Sequence, residues 1–149
     1  MIYGAMLAGG SGTRVKSSKI PKQFIEIGGK PIIIYTLENM LKVKRFDYIY
    51  IAVHKDYEDY MNEQVKKNIP ESEKVRIILG GKERMDTINN VTTAITNDNG
   101  IHDDDVIVIH DAVRPFVTEK ILNDSIDCAA EYGACAVSYT HLRAHETSQ

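Results

Sequence analysis

The residues best suited to chemistry fall in three short clusters. The first, LAGGSGTRVKSSKIPKQF, runs from Leu7 to Phe24. Gly9, Gly10 and Gly12 follow an apolar start, and such a backbone can approach phosphates closely with its N–H groups pointing in. Arg14 adds a planar fork of donors that suits phosphate oxygens, and Lys22 adds a point charge after a flexible stretch. The other reading is a tight structural turn followed by solvated cations. The loop is not a P-loop, because no Gly-Lys-Ser/Thr follows the glycines, and it is not a dinucleotide fingerprint, because Val15 stands where the third glycine belongs.

The second cluster, GGKERMDT, spans Gly80–Thr87 and leads into a helical pattern. A hydroxyl at a helix N-terminus suits an anion, although Asp86 or Thr87 can equally serve as a plain cap. The third, HDAVRP, spans His110–Pro115 and places an acid just past a buried strand. Asp111 suits Mg²⁺, which prefers carboxylate and phosphate oxygens. It also suits a cap or a loop anchor. His110 is a candidate base, but a histidine at a strand terminus is more commonly a hydrogen-bonded structural group. His54 and His102 read as solvated loop residues.

The elements that must position these clusters alternate. Apolar strand patterns at Ile2–Leu7, Tyr48–Val53, Val75–Leu79, Asp105–Ile109 and Ala134–Val137 are separated by helical patterns at Pro31–Val43, Asp56–Asn68, Asp86–Thr96 and Thr118–Tyr132. Thr118 reads as the N-cap of the last helix, with Glu119 in its first turn. This alternation predicts an α/β domain with a mostly parallel sheet and right-handed crossovers. Ligands of such sheets sit outside the carboxyl ends of the strands, and all three clusters follow strands, so they are expected to meet at one edge.

The 149-residue chain is long enough for one domain with a real core. Its net charge of −3 argues against a general polyanion binder, so no nucleic-acid partner is expected. The positive charge is local: Arg14, Lys16, Lys19, Lys22 and Lys30 lie near a single acid, Glu26. No stretch is apolar enough to span a membrane, and the N-terminus lacks the basic region of a signal peptide. Cys128 and Cys135 have neither disulfide-framework nor zinc-site spacing, which fits reduced thiols and a cytoplasmic protein.

LAGGSGTR, PKQF, GGKERMDTI and HDAVRPF, in this order, resemble the cytidylyltransferases that activate alditol phosphates, over Met1 to about Ala136. The two best-known members act on 2-C-methyl-D-erythritol 4-phosphate, in isoprenoid synthesis, and on D-ribitol 5-phosphate, in teichoic acid or capsule synthesis. The eight-residue step from Arg14 to Lys22, the GGKERMDTI wording, and Val113 and Phe116 in HDAVRPF lean toward the ribitol phosphate enzyme. The methylerythritol phosphate enzyme is the alternative. More distant readings are a sugar or molybdopterin guanylyltransferase and a non-catalytic nucleotide-binding fragment.

The resemblance implies a Rossmann-like, three-layer nucleotidyltransferase domain, CTP and an alditol phosphate as substrates, a divalent cation such as Mg²⁺, and a homodimeric full-length parent. By motif, Ala8, Gly9, Gly10 and Gly12 form the nucleotide loop, and Arg14 and Lys22 are the catalytic cations. Gly81, Lys82, Arg84 and Thr87 line the cytidine side, although the counterpart of Lys82 is often acidic. Asp111 is the metal ligand, and Arg114 helps to hold the second substrate.

The family pattern continues beyond the strand begun at Ala134, whereas this sequence reads VSYTHLRAHETSQ and stops. The expected organisation is therefore an N-terminal part of a cytidylyltransferase domain at 1–136, incomplete at its C-terminus, followed by a non-native tail at 137–149. That tail resembles a translated sequencing adapter. His141 and His145 have a spacing that zinc tolerates, but no third ligand accompanies them.

Overall fold

The computed structural model describes residues 1–8 and 20–132. Gly9, Gly10, Gly12, Arg14, the expected strand at Ala134–Val137, Cys135 and the 137–149 tail lie outside the described residues. β1 (Ile2–Ala8) is the hub. It pairs in parallel with β4 (Tyr48–Val53) on one side and β6 (Val106–Asp111) on the other, and β4 pairs in parallel with β5 (Val75–Leu79). The sheet order is therefore β5-β4-β1-β6.

Strand side chains alternate between faces, and the core divides accordingly. Met6, Ile49, Ile51, Val53, Val106 and Val108 join one buried cluster with residues from α1 (Ile32–Leu41), α2 (Glu58–Asn68) and α4 (Glu119–Tyr132). Tyr3, Ala5, Tyr50 and Ala52 join the other cluster with Val91 and Ile95 of α3 (Arg84–Asn99). Helices on both faces of a parallel sheet make the three layers that the resemblance implies. Among the described residues no helix is long and apolar enough to cross a membrane.

The topology places the site. From β1 the chain moves outward to β4 and β5, and α3 then carries it to β6 on the far side of β1. The strand order thus reverses at β1, and the crevice outside the carboxyl ends of β1 and β6 lies at this switch point.

Several boundaries differ from the sequence reading. β6 extends to Asp111, because His110 is buried and pairs with Met6 while Asp111 pairs with Leu7. α3 begins at Arg84, two residues before the expected start. α2 begins at Glu58, after a 3-10 turn at Lys55–Tyr57 whose second residue, Asp56, donates its N–H to His54 Nδ1 (3.1 Å), so His54 is a cap. A hairpin of β2 (Glu26–Ile27) and β3 (Lys30–Pro31) precedes α1, turning through Gly28 and Gly29 at φ 62° and 86°. Consecutive positive φ values are those of a tight hairpin turn and favour glycine. Thr118 does cap α4, accepting the Ile121 N–H at 3.1 Å.

Candidate active site

PKQF closes the first loop onto the sheet. Gln23 and Phe24 of the 3-10 turn Lys22–Phe24 are buried, while Lys22 is exposed between them and buried Pro21. The Gln23 side-chain amide donates to the Ala8 carbonyl (3.3 Å), joining the end of the loop to its beginning. The Phe24 ring stacks on Tyr57 at 4.5 Å between centroids and meets Tyr60 edge-on at 5.3 Å. Aromatic packing and a buried amide thus hold the Lys22 backbone at the carboxyl end of β1. Ala8 is itself buried, so its carbonyl serves loop closure. Lys30 leaves the basic cluster: its ammonium pairs with Glu38 (3.0 Å) and sits over the Tyr35 ring.

The GGKE loop is fixed from both ends. The Gly80 N–H donates to the Val53 carbonyl (2.8 Å), continuing the strand ladder, and the Gly81 N–H donates to Thr87 Oγ1 (2.9 Å). Thr87, buried, donates in turn to the Glu83 carbonyl (3.1 Å). The cap of α3 is Glu83, which forms a reciprocal capping box with Asp86. Asp86 therefore takes part in capping, and the Thr87 hydroxyl holds the loop against the helix. A Cβ on Gly81 would lie 2.3 Å from Asp86 Cβ and 3.0 Å from the Asp86 carbonyl carbon, so only glycine fits this approach. Gly81→Ala is expected to lower stability by about 1–3 kcal/mol, the usual cost of overpacking. Thermal denaturation checks this, and an unchanged Tm would show that the approach is not tight.

Asp111 lies between two guanidinium groups. Arg84 Nη1 is 2.8 Å from its Oδ1, and Arg114 Nε is 3.6 Å from its Oδ2. Arg84 occupies the first position of α3, where a cation opposes the helix dipole, and the Asp111 carboxylate offsets that repulsion. His110 is buried, and burial lowers its pKa below the ordinary histidine value. The neutral ring donates from Nε2 to the Arg114 carbonyl at 2.9 Å. This geometry gives His110 a loop-holding role.

Leu7, Gly81, Lys82, Glu83, Arg84, Thr87 and Asp111 line one cleft of about 240 Å³ at the carboxyl edge of the sheet. Four of the expected nucleotide-side residues and the expected metal ligand therefore share one concavity, with Arg114 beside Asp111 and Lys22 on the turn tied to Ala8. Sequence reasoning missed Glu83, which caps α3 within the cleft wall, and Gln23. The Glu83–Asp86 spacing was the signal available for the first. No group of three or more His, Cys, Asp or Glu is placed to hold a metal among the described residues. The Asp111 carboxylate, 37% exposed in this cleft, suits Mg²⁺, which is bound by one or two carboxylates plus substrate phosphates.

The sequence model of IspD, 2-C-methyl-D-erythritol 4-phosphate cytidylyltransferase, matches residues 2–144. The chain belongs to the IspD family. Solved structures agree in fold. The 4-diphosphocytidyl-2C-methyl-D-erythritol synthase of Anaerococcus prevotii is similar at 24% identity with a TM-score of 0.69, over 88% of this chain and 51% of that one. The 2-C-methyl-D-erythritol 4-phosphate cytidylyltransferase of Francisella tularensis is similar at 27% identity with a TM-score of 0.62, over 85% and 50%. The bifunctional IspDF of Campylobacter jejuni is similar at 22% identity with a TM-score of 0.67, over 87% and 31%. The chain spans about half the length of the first two. The family that this model describes is one of cytidylyltransferases, the class that the motifs resemble.

Proposed function

We propose that the protein transfers the cytidylyl group of CTP to 2-C-methyl-D-erythritol 4-phosphate, releasing pyrophosphate. The observation that carries this reading is the family match over residues 2–144, and the cleft that gathers Gly81, Lys82, Arg84, Thr87 and Asp111 agrees with it. The match favours methylerythritol phosphate over the ribitol phosphate suggested by the sequence wording. Two residues behind that earlier lean, Val113 and Phe116, are 42% and 87% exposed, so neither is packed into the cleft wall.

In this reading a phosphate oxygen of the alditol phosphate attacks the α-phosphorus of CTP. The new P–O bond forms as the bond to the bridging oxygen of the β-phosphate breaks, and pyrophosphate leaves. No bond to the protein forms, so the protein's contribution is position and charge. Lys22 and Arg14 offset charge on the triphosphate as the transition state develops. Gly9, Gly10 and Gly12 let the backbone approach that triphosphate. Gly81, Lys82, Arg84 and Thr87 form the cytidine side, with Thr87 acting through the Gly81 loop it holds. Arg114 receives the phosphate of the alditol. Asp111 would hold the divalent cation, which supplies shielding of the α-phosphate from the incoming anion. Arg84 then exchanges the Asp111 carboxylate for nucleotide oxygens. Pyrophosphate release from CTP, assayed with each alditol phosphate, tests the assignment. The full-length parent is proposed to be a cytoplasmic homodimer.

A further inference from the structure

Five polar or charged residues are buried among the described residues: Gln23, Thr36, Thr87, His110 and Ser125. Ser125 bonds within its own helix, to the Ile121 carbonyl. Each of the other four bonds to main-chain atoms at the carboxyl edge of the sheet, Gln23 to the last residue of β1 and the others to the loops that follow strands. Burying a polar group without a partner is costly, so a buried polar side chain holds its partner in one geometry. This distribution is strongest beneath HDAVRP. The Ala112 N–H donates to the Leu7 carbonyl (3.2 Å) and the Arg114 N–H to the Asp111 carbonyl (3.2 Å), forming a turn. Three side chains then donate to carbonyls of that turn and its end. Thr36 Oγ1, fully buried on α1, donates to the Ala112 carbonyl (2.8 Å). His110 Nε2 donates to the Arg114 carbonyl (2.9 Å), and Asn39 Nδ2, one turn along α1 from Thr36, donates to the Pro115 carbonyl. None of the three lines the cleft.

We infer that Thr36, Asn39 and His110 are positioning residues that clamp the 111–115 turn from α1 and β6, so that Asp111 and Arg114 are set before any substrate arrives. As a contribution to catalysis, this rests on the proposed cytidylyl transfer. Two of the three lie on a helix that carries none of the site motifs. Preset geometry lowers the barrier because the groups need no reorganisation during the reaction.

Thr36→Val keeps the side-chain shape and removes the donor, whereas Thr36→Ser keeps the donor. In Thr36→Val, hydrogen–deuterium exchange of the peptide covering 111–117 should accelerate about tenfold, the size that one hydrogen bond carries. With CTP, kcat should fall about tenfold while KM stays within about twofold, and Thr36→Ser should restore both readouts. Unchanged exchange in Thr36→Val overturns the clamp. So does failure of Thr36→Ser to restore it, and faster exchange with unchanged kcat overturns the positioning role. If Thr36→Val does not fold, Asn39→Leu on the half-buried side of the clamp should give the same pattern, and its absence there overturns the inference. If the wild-type protein releases no pyrophosphate with either alditol phosphate, the proposed reaction fails, and the exchange contrast alone then decides the clamp.

Discussion

Lys22→Ala is expected to lower kcat by about 10²–10³-fold while leaving CTP binding within a few-fold, because its proposed role sets the charge against the transition state more than the ground state. Lys22 is exposed, so it makes no core contact whose loss would unfold the protein. The turn beneath it is held by Gln23 and Phe24, which the substitution leaves in place. Steady-state pyrophosphate release with varied CTP separates the two effects. Unchanged kcat with a raised KM would restrict Lys22 to ground-state binding and remove it from the catalytic pair.

Asp111→Asn is expected to reduce turnover by a similar factor of about 10²–10³ and to abolish its dependence on the divalent cation. The substitution keeps the side-chain shape but removes the charge that faces Arg84 at 2.8 Å and Arg114 at 3.6 Å. All three side chains are more than a third exposed, so the lost ion pairs should change stability by only about 0–1 kcal/mol. Calorimetry with CTP and Mn²⁺ gives a second readout, in which the variant should lose the metal-dependent part of binding. A variant that retains wild-type metal dependence would show that Asp111 is only a partner for the two arginines.

Much of the fold was legible because strands of a parallel sheet are nearly continuous apolar runs. YIYIAV and VRIIL could be placed to the residue. The end of β6 was not, because His110 and Asp111 look like loop chemistry while their backbones still pair with β1. The hairpin before α1 escaped because two-residue strands have no period, and only the Gly28–Gly29 pair marked it. Residue type and motif order picked out Gly81, Lys82, Arg84, Thr87 and Asp111, which the fold gathers in one cleft. Its supporting bonds were not legible. Gln23 reaches a carbonyl 15 positions away, and Thr36 and Asn39 reach carbonyls 76 positions away, contacts that only the folded topology creates. Thr36 otherwise reads as one more residue on an amphipathic helix.

One paired assay decides whether the protein transfers a cytidylyl group from CTP to methylerythritol phosphate. Pyrophosphate release from CTP and Mg²⁺ is followed with 2-C-methyl-D-erythritol 4-phosphate and with D-ribitol 5-phosphate, at equal concentrations of the same enzyme. The predicted result is release with methylerythritol phosphate at a kcat/KM at least about tenfold above that with ribitol phosphate, a difference of about 1.4 kcal/mol in transition-state binding. Faster release with ribitol phosphate, or none with either, would contradict it.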